Sequence, residues 1–286
     1  MLGGPHMNYQ LLHIFRNNPL GRETLLQTIY FCKKINIAPV VYVPDNTKFL
    51  MYFDNDVVQV DLDSSYLTAP KTARAHAADL LEKHGLRPNF LNPRHYTAST
   101  LPDIPTDFDF MCCPRSISDL SSKIGIGYIG SRVRKIVQSA RFPVLIPTSA
   151  YKEWKSIAVF FGGSINAFKS LRLGLRIKQA SGIPLDVFTQ SKHKMKKEDY
   201  QKLIQKRGLE DLFNQHVRNW RLFTEGNLKE NLFEVPHDAL AVVGAYGHNI
   251  VKDFVFGSTM EVIQSNLPNN LLIVGPNYTV SHPGTP

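Results

Sequence analysis

This 286-residue sequence is poor in cysteine and tryptophan, with three of the first and two of the second. Cys32 stands alone, and Cys112-Cys113 are adjacent inside an apolar run, so a disulfide framework is excluded and the thiols read as core residues. No CxxC pair occurs and the ten histidines are scattered, which leaves no zinc-type ligand set in the sequence. Nowhere is there an uninterrupted apolar run of about 18 residues, which argues against a membrane span. No basic segment followed by an apolar stretch opens the chain, so no secretory signal is expected and the reading is a cytoplasmic protein. Met1 to His6 have the look of a residual tag, with the native start at Met7. Acidic residues are outnumbered, and the formal net charge is +9. That sign suits phosphate-bearing partners. The densest basic stretch, 192–207, interleaves Tyr200, Leu203 and Ile204 at helical spacing. It reads as a solvated helix face, so nucleic acid is disfavoured as a partner.

What is present is a βαβ rhythm. Leu11 to Phe15 reads as a strand; Leu25, Ile29, Cys32 and Ile35 mark a helix over 23–37; Pro39 to Val43 reads as the next strand. Lys48 to Leu62 breaks the rhythm with two β-rich runs around Asp54-Asn55-Asp56, a hairpin expected as an edge elaboration. A helix is expected over 68–84, stopped by Gly85. A weak strand follows over Arg87 to Leu91, then a strong one over Phe108 to Cys113, a helix after Gly130-Ser131, and a buried strand over Phe142 to Pro147. From Ser156 the order starts again. Ile157 to Phe161 answers Leu11 to Phe15, and Ile183 to Phe188 answers Ala38 to Val43. Gly257-Ser258 answers Gly130-Ser131 at an offset of 127 (257 less 130), and Leu271 to Val274 answers Val144 to Pro147 at the same offset. Two tandem α/β domains of doubly wound type are therefore expected, over 7–150 and 151–286, each an open parallel sheet with flanking helices. The terminal strands Val144 to Ile146 and Leu271 to Val274 are expected to pair edge to edge as a pseudo-dimer, with a further homodimer as the next level.

The chemistry concentrates in Val242 to Thr259, where a strand ending at Val243 runs into Gly244 and Gly247, and Gly257-Ser258-Thr259 precede a helical pattern. Glycine allows backbone to approach a phosphate and tolerates positive φ, while unpaired amides and hydroxyls at a helix start favour an anion. In a doubly wound sheet this place lies beyond the strand ends, where ligands bind.

Gly244, Gly247, Gly257 and Ser258 stand at the spacing Gly-x2-Gly-x9-Gly-(Ser/Thr), and in this the chain resembles the tandem universal stress proteins. The resemblance implies five parallel strands per domain in the order 3-2-1-4-5 and an adenine nucleotide (ATP, ADP or AMP, with Mg²⁺ as companion ion) where strands one and four diverge. It implies a phosphate loop of Gly244, Gly247, Gly257, Ser258 and Thr259, with Val243 and His248 beside it as further candidate nucleotide-binding residues, and adenine contacts at the second strand's end, from Val187 to Thr189. It also implies no catalysis, and a stress-response or regulatory interaction with a protein partner. Nucleotide-binding members carry an aspartate after the first strand; here Gly162-Gly163-Ser164 stand in its place. The first domain departs further, with Cys112-Cys113-Pro114-Arg115 where the glycine turn belongs, so it reads as a copy that has lost the site, leaving Arg115 and Ser131 as a residual anion pair. No Ser-His-Asp or Cys-His set, positioned base or arginine finger can be named. The alternative from another class is an interaction scaffold whose two sites are both vestigial.

Overall fold

A computed structural model describes residues 9–67, 70–93, 100–117, 128–191, 195–246 and 258–279. The chain opens with β1 (Gln10–Ile14), α1 (Pro19–Ile35) and β2 (Ala38–Tyr42). The helix begins four residues before the expected start. Asn18 caps it by accepting from the Gly21 N–H at 2.7 Å, and Pro19 holds its first position, where no N–H is needed. Asn36 ends it in the left-handed region at φ 55°.

The hairpin forms as β3 (Lys48–Phe53) and β4 (Asp56–Asp61), but it does not extend the edge of the main sheet. With β5 (Asp103–Ile104) it makes its own three-stranded sheet, ordered β4-β3-β5. Alternation along the hairpin drives this placement: Phe49, Met51, Val58 and Val60 share one face and are buried. They enter a common core with Ile136 and Val137 of the helix α3 (Ser131–Ser139). Lys135 pairs with Asp56 at 2.5 Å and the Ser139 hydroxyl donates to the same carboxylate at 2.8 Å.

After α2 (Pro70–Lys83) the chain turns at Gly85, φ +74°, as its sequence requires. The weak strand of 87–91 shrinks to one parallel bridge, Phe90 to Val41, so the expected fifth strand of the first half is not built. Pro88 and Pro93 flank it, and a proline has no N–H to give a ladder. β6 (Phe110–Cys112) and β7 (Val144–Ile146) complete this half.

The second half runs β8 (Ser156–Phe160), α4 (Ile165–Ser181), β9 (Leu185–Gln190), α5 (Lys197–Lys206), α6 (Glu210–His216), β10 (Val217–Phe223), α7 (Leu228–Asn231), β11 (Ala239–Gly244), α8 (Ser258–Asn266) and β12 (Asn270–Val274). The basic helix face expected over 192–207 is α5, with Tyr200 and Ile204 buried. The strands other than β3, β4 and β5 join one nine-stranded sheet in the order β10-β9-β8-β11-β12-β7-β6-β1-β2. Its second-half portion has the 3-2-1-4-5 order. In this sheet every pairing within a half is parallel, and the halves meet through one antiparallel pair, β12 with β7, with Leu272 opposite Leu145. The edge-to-edge union expected from the terminal strands is thus made inside one chain.

Both sheet faces are covered, which is why the central strands β8, β11 and β12 are almost wholly apolar. Leu12, Met111, Leu271 and Ile273 face α3 and α8, whereas Leu11, Phe110, Leu272 and Val274 face α1 and α4. The three cysteines are free and buried, as expected of core thiols. Burial pushes the Cys112 thiol up to about 12 and the other two well above their usual value. Among the described residues no helix is long and apolar enough to cross a membrane.

Candidate functional site

Strand order in the second half reverses between β8 and β11: the chain leaves β8 toward β9 on one side, and β11 pairs on the other. The crevice beyond their carboxyl ends is the ligand position of such sheets. From β8 it is bounded by Phe161, Gly162, Gly163 and Ser164, and from β11 by Gly244, Ala245 and Tyr246.

The glycines have different reasons. A Cβ on Gly162 would meet nothing within 4 Å, so this backbone faces open space. Gly163 has φ +74°, a conformation that favours glycine. Gly244 is required by packing, since a Cβ there would lie 2.4 Å from the carbonyl oxygen of Asn166 in the first turn of α4. The close approach it permits is to helix backbone. Packing on α4 is thus a further reason for this glycine besides the phosphate access expected of it.

Asn166 and Tyr246 were not singled out from the sequence, and they shape the crevice. Asn166 is buried, and its Nδ2 donates to the carbonyls of Ala245 at 2.5 Å and Tyr246 at 3.3 Å, clamping the turn after Gly244. Tyr246 takes the left-handed region at φ 60°, and its hydroxyl donates to the Arg134 carbonyl at 3.2 Å. The only sequence signal was an Asn in a helix's first turn, a position where such residues more often face water than the core.

Ser164 is the N-cap of α4, its hydroxyl accepting from the Ala167 N–H at 3.2 Å, so it is committed to the helix. Val243 is buried at the end of β11. Val187 and Thr189 are both wholly buried in β9, and the Thr189 hydroxyl accepts from the Trp220 indole N–H at 2.9 Å. Their side chains therefore belong to the core, and contact with an adenine from this stretch falls to its backbone. Thr259 is exposed in the first turn of α8, and Ser258 begins that helix. Gly247, His248 and Gly257 lie outside the described residues.

Arg115, the residual anion candidate of the first half, is spent on structure. Its guanidinium donates to the carbonyls of Gln264 at 3.0 Å and Leu267 at 3.4 Å, the free acceptors at the end of α8. Ser131 opens α3, next to Gly130 whose N–H donates to the Arg115 carbonyl at 2.7 Å, while the guanidinium is held at the end of α8. Among the described residues no group of three or more His, Cys, Asp or Glu could hold a metal ion.

The fold is that of the universal stress proteins. A universal stress protein from Archaeoglobus fulgidus DSM 4304 superposes over 94% of this chain and 99% of its own, at 14% identity and a TM-score of 0.63. A functionally unknown protein of Pseudomonas aeruginosa PAO1 matches 95% of this chain and 94% of its own, at 11% identity and 0.55. The cytoplasmic domain of a prokaryotic cation chloride cotransporter matches 93% and 95%, at 11% and 0.51. No family model and no curated protein matches the sequence.

Proposed function

We propose that this is a non-catalytic binding protein whose second half holds an adenine nucleotide at the β8/β11 crevice, and that occupancy biases a regulatory interaction with a protein partner. One observation carries the reading: at the strand-order reversal the β8 side presents bare backbone, with Gly162 facing open space and Gly163 at φ +74°, while Gly244 lets the turn after β11 pack onto the first turn of α4. The sequence supplies the remainder, because Gly247, Gly257 and Ser258 stand at phosphate-loop spacing between a strand and a helix. Backbone amides at the start of α8 would face the phosphates, and Thr259 adds an exposed hydroxyl there. Adenine would then be held by backbone at the ends of β8 and β9, since the Val187 and Thr189 side chains are engaged.

Isothermal titration of the full chain with ATP, with and without Mg²⁺, tests this. Saturable binding that is lost in Gly257→Asp is the expected result. Absence of heat at millimolar nucleotide overturns it.

The Thr189 to Trp220 hydrogen bond favours a second reading, a scaffold with no nucleotide, because it satisfies the very hydroxyl a base would need. Nucleotide carried through purification at one per chain, seen by mass spectrometry, decides against the scaffold.

A further inference from the structure

The first half has its own strand-order reversal, between β1 and β6, and its crevice is filled. β1 pairs with β2 on one side and β6 on the other, so by the same rule a ligand would sit beyond Phe15 and Cys112. The segment returning from the hairpin makes a single 3₁₀ turn over Ser64–Leu67 and is tied to Arg16, two residues past the end of β1. Tyr66 drops from it into the core, 2% exposed, in one cluster with Ile14 of β1, Tyr42 of β2, and Met111 and Cys113 of β6. Arg16, just past β1, lies over the Tyr66 ring at 5.3 Å. The same guanidinium latches the turn: its Nε donates to the Ser65 hydroxyl at 2.5 Å and its Nη2 to Asp63 at 3.1 Å. Asp63 in turn accepts from the Ser65 N–H at 2.9 Å and closes the loop on itself. In the same cluster the buried hydroxyl of Tyr42, at the end of β2, has no hydrogen-bond partner.

These contacts have the form of a bound ligand. There is a buried flat ring, a cation above it, and an anionic group paired with that cation. We infer that Asp63–Leu67 is a built-in ligand of the first half, Tyr66 taking the place of a planar base and Asp63 that of its anionic group, over a cryptic site for a small aromatic anion. The site differs from that of the second half and stands whether or not the second half binds nucleotide. It also gives the missing glycine turn at Cys112-Cys113-Pro114-Arg115 a physical context, because a crevice filled by its own chain needs no bare backbone.

Emptying the ring position exposes the site. AMP, a flat base with one phosphate, is the probe, titrated into full-length wild type and Tyr66→Gly. The expected result is one AMP per chain more in the variant than in wild type. Adding Arg16→Gln to that variant should weaken the extra site by about tenfold or more for AMP, through loss of a charge-assisted contact, and leave adenosine binding there unchanged. A folded Tyr66→Gly with wild-type stoichiometry overturns the inference. Where Tyr66→Gly does not fold, Asp63→Asn loosens the latch and leaves the ring in the core. Extra AMP binding by that variant, weaker than expected for an emptied crevice, supports the inference, and wild-type stoichiometry overturns it.

Discussion

Arg134 and Glu261 hold the same position in the two halves, 127 residues apart (261 less 134), and face each other at 2.7 Å across the seam. Each is the fourth residue of its helix, α3 or α8. In a two-fold dimer of single domains, equivalent residues near the axis meet their own kind, so one charge there would repel itself. Joining the halves in one chain lets the two positions differ, and here they have opposite sign. Gln264 donates to the second Glu261 oxygen and accepts from the Ile129 N–H at 3.2 Å, while Arg134 Nε donates to the Ile129 carbonyl at 2.7 Å.

Breaking this pair should be costly, because the Arg134 side chain is 9% exposed against 29% for Glu261. Arg134→Met is expected to lose about 3 kcal/mol in urea unfolding, the low end for a severed buried pair, since water can still reach the carboxylate. The double variant Arg134→Met, Glu261→Met should recover at least half of that. A double variant no more stable than the single one contradicts the pairing.

Two glycines of the same crevice should respond in opposite ways. Gly244→Ala forces a Cβ against the Asn166 carbonyl and should destabilise the chain by about 3 kcal/mol, with or without nucleotide. Gly162→Ala adds a methyl to open space and should stay within about 0.5 kcal/mol of wild type. Thermal melts of both variants without ligand check the contrast.

A carboxylate at Gly162 is sterically free. Gly162→Asp restores the acidic residue that nucleotide-binding relatives are implied to carry after this strand. One charge-assisted hydrogen bond to a ribose should raise ATP affinity by about tenfold to a hundredfold. Equal or weaker binding in titration calorimetry would show that the ribose lies elsewhere.

His13 should make folding acid-sensitive. Its Nδ1 lies 2.8 Å from the Thr28 hydroxyl, its Nε2 is buried without a partner, and burial pushes the imidazole down to about 3 from the usual 6.5. The unfolded chain takes up this proton near 6.5 and the folded chain does not until about 3. Its contribution is therefore whole above pH 6.5 and is lost as pH falls toward 3, at about 1.4 kcal/mol per unit. His13→Gln, which can keep the Thr28 contact without titrating, should flatten stability between pH 6 and 4. An unchanged slope in urea titrations across that range assigns the sensitivity to other groups.

Legibility differed by element for physical reasons. β8, β11 and β12 are buried on both faces, so apolar runs such as Ala239 to Val243 announced them. β10 went unread because it is the sheet's edge and carries Arg218, Asn219 and Arg221, the first two paired with the buried Asp186 carboxylate. Such charges suit an edge and look like a loop. The hairpin was read correctly as a hairpin and placed wrongly, because its pattern tells which face is buried and says nothing of what covers it.

The sequence by itself determined the two α/β halves, the 127-residue correspondence of α3 with α8, and the glycine spacing in the second half, since each is written in local periodicity and turn residues. Only the tertiary structure decided that Gly244 serves helix packing, that Thr189 is held by Trp220, that Arg115 caps α8, and that Tyr66 fills the first crevice. Each of these joins residues from separate elements. A side chain's available partners depend on which strands become neighbours, and that is settled by burial of the whole sheet.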